Sequence, residues 1–331
     1  MRASVLRWLR SSSVGALARR VSLGAVPLVG LWAGAAEAVA PVAAPALKKV
    51  SATLDGKKLP LKGAAVYRTG GSALTLEVST EPLPCSAYEA GGRGIADGEK
   101  HFTVQFQPLL QADGSLKWHT MRLELRQQGP ERGADLSKLA LVDPDAEKPV
   151  RFRFDQKFVL PASEFFGLNE AKLELRGEGV ALGCGTLKGL QAVPARAQAG
   201  LTLTVAGRSF PVLGATLAGD EGDLELNTSP LACDSGQGHD LRIRIAVKPT
   251  EEKRHGIYVS GDVLASQHNL SAPSLGAPPA AGAEPGLFVQ VVPGAAKGDA
   301  RTVKVAGAFM LGELPVVLSG EVSALDCAGA R

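Results

Sequence analysis

Apolar and polar residues alternate along most of this chain. The clearest runs are residues 74–78, 102–106, 151–155, 173–175 and 241–247. A period of two residues places successive side chains on opposite faces of a strand. One face then packs on a core while the other meets water, which is typical of antiparallel sheets.

Turn signals separate these runs. Asp55-Gly56, Gly70-Gly71 and Asp113-Gly114 are dipeptides that favour hairpin turns. Alternation is lost near His119 in the run that follows the third turn, which indicates a β-bulge. Helical periodicity is nearly absent, and residues 135–141 are the one stretch that could form one or two helical turns. Many short strands predict a β-sandwich, with a barrel as the alternative.

The chain contains the same pattern twice. Residues 74–85 match 224–233 when both segments are aligned on their cysteines, and residues 177–184 match 320–327. Both ends of two long segments therefore agree in order and at similar separation, which indicates a tandem duplication. We predict an all-β protein of two tandem, internally duplicated antiparallel β-sandwich domains, with one disulfide each. The predicted boundaries are residues 48–186 and 200–331, joined by a linker over 187–199.

The four cysteines are Cys85, Cys184, Cys233 and Cys327. Four cysteines allow three pairings, and the duplication favours Cys85–Cys184 with Cys233–Cys327, because each unit then carries the same bond. Four free buried thiols are the alternative. A zinc site is disfavoured, because the chain has no CxxC pair. We therefore predict structural disulfides.

Residues 1–40 resemble a secretory signal peptide. They hold five arginines, then no charge from Val21 to Ala36, and end in small residues that suit cleavage. The apolar stretch is too short for a retained membrane anchor. Arg19-Arg20 with Leu23 resembles a twin-arginine export signal, although Ser22 departs from that pattern; general secretion is the other route. We predict a periplasmic or extracellular protein with no membrane span after cleavage.

Charge and composition exclude some classes of function. The 331-residue chain has a formal net charge of +3, but residues 41–331 carry 31 basic and 32 acidic residues. Nucleic acid is therefore not expected as a partner, because such binders need clustered positive charge. The chain has no nucleophile elbow, zinc-protease, phosphate-loop or dinucleotide motif. We accordingly assign no catalytic residue, no metal site and no cofactor.

Weaker candidates recur at matching positions of the two units. His101 and His239 begin roughly equivalent strands. Glu77 matches Glu225, and Glu178 matches Glu321; we expect these acids to face solvent or to bond a turn. The low-complexity residues 271–286 predict a surface loop.

The sequence favours a non-enzymatic exported protein that binds an unknown partner protein or a surface ligand in the bacterial envelope or outside the cell. An accessory or assembly subunit of an envelope complex is one alternative. A hydrolase acting on extracellular polymers is the other, and its expected sign is a site lined by histidine or carboxylates in only one unit. The fold alone cannot separate these functions.

Overall fold

The chain folds as two separate curled β-sheets, in a computed structural model that describes residues 46–68, 71–88, 101–125, 128–164, 167–186, 200–218, 222–231, 233, 239–276, 286–293 and 300–327. The predicted signal peptide over 1–40 and the linker over 187–199 lie outside these ranges. The prediction of two tandem all-β units is confirmed. Within the described ranges the one helical element is a 3₁₀ turn, Cys85–Tyr88.

The first sheet has nine strands. They are β1 (Ser51–Leu54), β2 (Lys57–Leu59), β3 (Gly63–Arg68), β4 (Leu74–Ser79), β5 (His101–Leu110), β6 (Leu116–Leu125), β7 (Leu139–Val142), β8 (Val150–Leu160) and β9 (Ala171–Thr186). The strand order is β2-β1-β9-β3-β4-β5-β6, and β8 joins β7 to β9.

The long strand β9 makes the sheet curl. Its first part runs antiparallel between β1 and β8, and its last part runs parallel to β3. The two arms of the sheet therefore meet along one strand and enclose a common core, as in a half-barrel. Phe102 of one arm contacts Phe154 of the other, with ring centroids 5.9 Å apart.

The second sheet repeats this plan with ten strands. They are β10 (Leu201–Val205), β11 (Arg208–Phe210), β12 (Gly214–Ala218), β13 (Asp223–Asn227), β14 (Arg242–Ile245), β15 (Arg254–Ser260), β16 (His268–Pro273), β17 (Gly286–Val291), β18 (Ala300–Leu311) and β19 (Leu314–Asp326). Strand β19 takes the place of β9: it pairs antiparallel with β10 and β18 and parallel with β12.

A glycine at the same place in each long strand supports the duplication. Gly177 of β9 has φ +100°, and Gly320 of β19 has φ +132°. A Cβ atom added at either glycine would collide with the carbonyl oxygen of Lys49 or Gly200 respectively. Both units thus need glycine where the long strand passes close to the chain entering the sheet.

The predicted disulfide pairing is confirmed. Cys85 bonds Cys184, 99 residues away, and Cys233 bonds Cys327, 94 residues away. Each bond joins the segment after one hairpin of its unit, β3–β4 or β12–β13, to the end of the last strand of that unit.

The two sheets also touch each other. Leu110, at the end of β5, is 6% exposed and belongs to the hydrophobic core of the second unit. Its backbone N–H donates to the carbonyl oxygen of Val263 at 2.8 Å. Nearby, the N–H of Ala73 donates to the carboxylate of Asp262 at 3.2 Å.

Of two local predictions, the bulge near His119 is confirmed and the helix over 135–141 is not. The bulge is present: the β5–β6 register shifts so that Met121 lies between the partners of Gln105 and Phe106. The possible helix over 135–141 was wrong, because the Asp135 carboxylate accepts the N–H of Ser137 in a turn and β7 follows.

The predicted loop over 271–286 was wrong at both ends. Residues 271–273 belong to β16 and pair with β15, while Gly286 begins β17. Residues 277–285 lie outside the described ranges.

Candidate functional site

The outward side of β18 and β19 in the second unit carries a run of uncharged side chains. Neighbouring strands extend it on both sides, because Phe288 of β17 pairs with Ala306 and Thr202 of β10 pairs with Ser319. Nine side chains without charge point outward here, and we call them the uncharged face: Thr202, Thr204, Phe288, Ala306, Ala308, Met310, Pro315, Val317 and Ser319.

The same surface of the first unit is charged. On β8 and β9 the outward residues form ion pairs, both between the two strands and within β9. Lys157 Nζ lies 3.3 Å from a Glu174 carboxylate oxygen, and Arg176 Nε lies 2.7 Å from the other oxygen of Glu174. Arg153 Nε lies 3.8 Å from Glu178. These exposed pairs add little stability, but they keep the surface strongly hydrated.

Strand register allows the two surfaces to be compared position by position. Aligning Cys184 with Cys327 places β9 on β19, and cross-strand partners then place β8 on β18. One ion pair is retained: Arg153–Glu178 corresponds to Lys304–Glu321, whose charged atoms are 3.2 Å apart.

The three cross-strand pairs that follow this ion pair on one side lose their charges in the second unit. Asp155–Arg176 corresponds to Ala306–Ser319, Lys157–Glu174 to Ala308–Val317, and Val159–Lys172 to Met310–Pro315. Met310 is 46% exposed and Val317 47% exposed. In the first unit the counterparts of these two residues, Val159 and Glu174, lie among charged side chains. An apolar surface of this kind can be dehydrated by a partner at low cost.

A second candidate is a buried cluster of one acid and two tyrosines in the first unit, Glu77, Tyr67 and Tyr88, which we call the buried acidic cluster. Glu77 of β4 is only 3% exposed, and its carboxylate accepts a hydrogen bond from the Tyr88 hydroxyl at 3.0 Å. Tyr88 stacks on Tyr67 with ring centroids 4.7 Å apart. The 3₁₀ turn that carries Tyr88 is fastened by the Cys85 disulfide, so this segment covers the outer side of β3 and β4. Glu77 therefore does not face solvent, and of the two expected roles it takes the other, a hydrogen bond to a turn.

The second unit builds the equivalent place differently. Glu225 corresponds to Glu77, but it pairs with the Arg242 guanidinium at 2.5 Å. The register places Arg242 opposite Asn227 and His101 opposite Ser79. Arg242 is thus the counterpart of His101, and His239 lies three residues earlier. The expected equivalence of His101 and His239 does not hold.

Burial raises the pKa of Glu77. The Tyr88 hydrogen bond and the nearby His101 act in the opposite direction and are outweighed. Burial, followed by the charge of Glu77, also raises the pKa of both tyrosines, so they stay protonated at physiological pH. A raised folded-state pKa means that protonation of Glu77 favours the folded state. This contribution is complete below the unfolded value of about 4.3 and is lost as pH rises through the folded pKa.

We therefore expect Glu77→Gln to raise the melting temperature at pH 7, because glutamine keeps an oxygen for Tyr88 and removes the buried charge. The gain should disappear near pH 4, where the wild-type carboxyl is protonated. Thermal unfolding at the two pH values measures this. Glu225→Gln is the matched control and should destabilise, because it leaves Arg242 without its carboxylate partner. A loss of stability with Glu77→Gln at both pH values would contradict the account.

Among the other predicted positions, Glu321 borders the uncharged face, two residues along β19 from Ser319. Glu178 and Glu321 face solvent as expected, each paired with a base. In the loop after β13, the Thr228 hydroxyl oxygen accepts the N–H of Leu241 at 3.0 Å, a bond that holds a strand end. A signal for the uncharged face exists in the sequence, since residues 302–310 lack most of the charges of 151–159, but it appears only when the two segments are aligned by strand register.

Searches for a membrane span, a metal site and a related protein each find nothing within the described residues or the chain's comparisons. Among the described residues, none of the helical segments is long and apolar enough to cross a membrane. A search of the same ranges finds no group of three or more histidine, cysteine, aspartate or glutamate residues arranged to hold a metal ion. Comparison with family models, curated proteins and solved structures gives no match.

Proposed function

We propose that this chain is an exported, non-catalytic binding protein of the bacterial envelope or the extracellular space, and that the uncharged face of its second unit is the contact surface. Residues 1–40 would direct export and be removed. The two disulfides are compatible with an oxidising compartment outside the cytoplasm. The first unit, over 48–186, would then act as a hydrated companion domain.

The proposal rests mainly on the loss of charge from the three cross-strand pairs next to the retained ion pair, on one copy of a duplicated surface. The first unit demonstrates that this architecture accepts the charged set, so folding does not require the uncharged one. Burying the charged set against a partner would carry a desolvation penalty. The uncharged face avoids that penalty, and interface centres are generally depleted of charged residues.

The buried acidic cluster does not favour the hydrolase alternative. It does occur in only one unit, which was the expected sign of an enzyme. Its acid and its tyrosine are nevertheless closed off, with Glu77 3% and Tyr88 2% exposed. A general acid must reach the atom that it protonates, so this arrangement supports a structural role for the cluster.

Site-specific photocrosslinking in cells tests the proposal. A photoreactive amino acid is placed at Met310 in one strain and at Val159, its counterpart in the first unit, in another; the native side chains are 46% and 42% exposed. We expect a discrete crosslinked product in the exported fraction from position 310 only. Adding Ala308→Lys on the same face should remove that product.

Two results would contradict the proposal. Equal products from both positions would mean that exposure alone determines crosslinking. No product from position 310, in a strain where the protein is exported and folded, would mean that the uncharged face meets no partner. The mass of the product also separates a second copy of this chain from a different protein.

A further inference from the structure

We infer that the occupant of the uncharged face is a second copy of this chain, packed face to face about a two-fold axis. This inference rests on the proposed function, because it assumes that the uncharged face is a contact surface. It adds the identity of the partner, and the residues on the face carry it.

A two-fold axis parallel to the strands, lying between β18 and β19, places β18 of one copy over β19 of the other. Each residue then faces the counterpart of its own cross-strand partner. The face is therefore complementary to itself only if the two members of each cross-strand pair match in charge and in size. The observed pairs meet both conditions.

The charges are complementary under this operation. Lys304 of one copy would face Glu321 of the other, and the reverse contact is generated by symmetry. The four charges then alternate in sign at one end of the interface. Like charges would instead meet if both strands carried the same sign, which would oppose association.

The side-chain sizes are complementary as well. Ala308 would face Val317, and Met310 would face the flat ring of Pro315. On the flanking strands, Phe288 would face the smaller Thr202, because these residues lie in one row with Ala306 and Ser319. Large side chains opposite small ones allow two sheets to interdigitate in an aligned packing.

The size of the face predicts a weak dimer. Four strands spaced about 4.8 Å apart and five residues of about 3.4 Å each give a footprint of about 330 Å² per copy. The total of about 650 Å² lies below the range of stable complexes, so the dimer should be transient. We expect a dissociation constant on the order of 100 μM.

Sedimentation velocity of the mature full chain between about 5 and 500 μM tests this. We expect a concentration-dependent shift from monomer to dimer for the wild type. Ala308→Lys with Val317→Glu installs the pair that the first unit carries and should weaken association at least tenfold. Val159→Lys, which adds a charge to the first unit at the counterpart of Met310, is the matched control and should leave association unchanged.

A charge-reversal pair gives a test that misfolding cannot imitate. Lys304→Glu alone and Glu321→Lys alone should each fail to self-associate, because like charges then face each other. An equimolar mixture of these two variants should associate again, because each charged residue of one variant then faces an opposite charge on the other. Both positions are exposed, so the variants should fold, which circular dichroism verifies.

The outcomes separate this inference from the proposed function. A wild type that stays monomeric at 500 μM would overturn the inference, and a crosslink from position 310 to a different protein would leave the proposed function standing. Wild-type dimers that persist in Ala308→Lys with Val317→Glu, or a mixture that fails to associate, would also overturn it.

Discussion

Replacing Cys85 and Cys184 with serine is expected to lower the free energy of unfolding of the first unit by up to about 4.7 kcal/mol. The bond closes a loop of 99 residues, and the chain-entropy model assigns that value to a loop of about 100 residues. The bond also holds the turn that places Tyr88 over Glu77. Its loss should therefore expose the outer side of β3 and β4.

Denaturant unfolding of the double-serine variant measures this loss. The matched variant replaces Cys233 and Cys327, whose loop of 94 residues is nearly as long. We expect losses of similar size, each in the unit that carries the bond, with hydrogen exchange identifying which unit opens. A loss under about 1 kcal/mol would contradict the chain-entropy account of these bonds. Equal opening of both units by one double variant would contradict the assignment of one bond to each unit.

Leu110→Ala is expected to cost about 2–5 kcal/mol, and the loss should appear in the second unit although Leu110 belongs to a strand of the first. Its side chain is buried in the core of the second sheet. The alanine leaves a cavity there while the backbone bond to Val263 can persist. The substitution should also loosen the junction between the sheets.

Hydrogen exchange resolved by segment measures the effect of Leu110→Ala. Faster exchange is expected in β14 and β15, which enclose that core. Leu123→Ala is the control, because Leu123 is 1% exposed in the core of the first unit and should loosen that unit instead. An effect of Leu110→Ala confined to the first unit would contradict the observed junction.

The strands, the duplication and the disulfide pairing could be predicted from the sequence because each follows from a repeated local pattern. Alternation over residues 102–106 and 241–247 marks strands without knowledge of their neighbours. The recurring cysteines then restrict the pairing, since a duplicated unit repeats its covalent bonds.

The burial of Glu77 could not be predicted, because alternation tells which face a side chain occupies and not what covers that face. In the first unit the turn at Cys85–Tyr88 covers it; in the second, Arg242 pairs with the equivalent acid. The burial of Leu110 in the other unit is likewise a contact between distant segments that no local period encodes.

The uncharged face could not be found without strand register. Aligning the two copies by their cysteines places β9 on β19 but leaves β8 and β18 unaligned. Only the cross-strand pairs reveal that Lys157 and Glu174 correspond to Ala308 and Val317. Pairing between strands is a property of the fold, so this comparison needs the structure.

Methionine methyl NMR tests the central claim most directly. The chain has three methionines, and removal of residues 1–40 leaves Met121 on the first sheet and Met310 on the uncharged face. Both are partly exposed, at 36% and 46%. Protein expressed without residues 1–40 and labelled with ¹³C at these methyl groups is concentrated alone or mixed with an unlabelled extract of the producing cells. The account predicts that the Met310 signal shifts or broadens while the Met121 signal stays in place. Equal changes in both signals, or a change in Met121 alone, would contradict it.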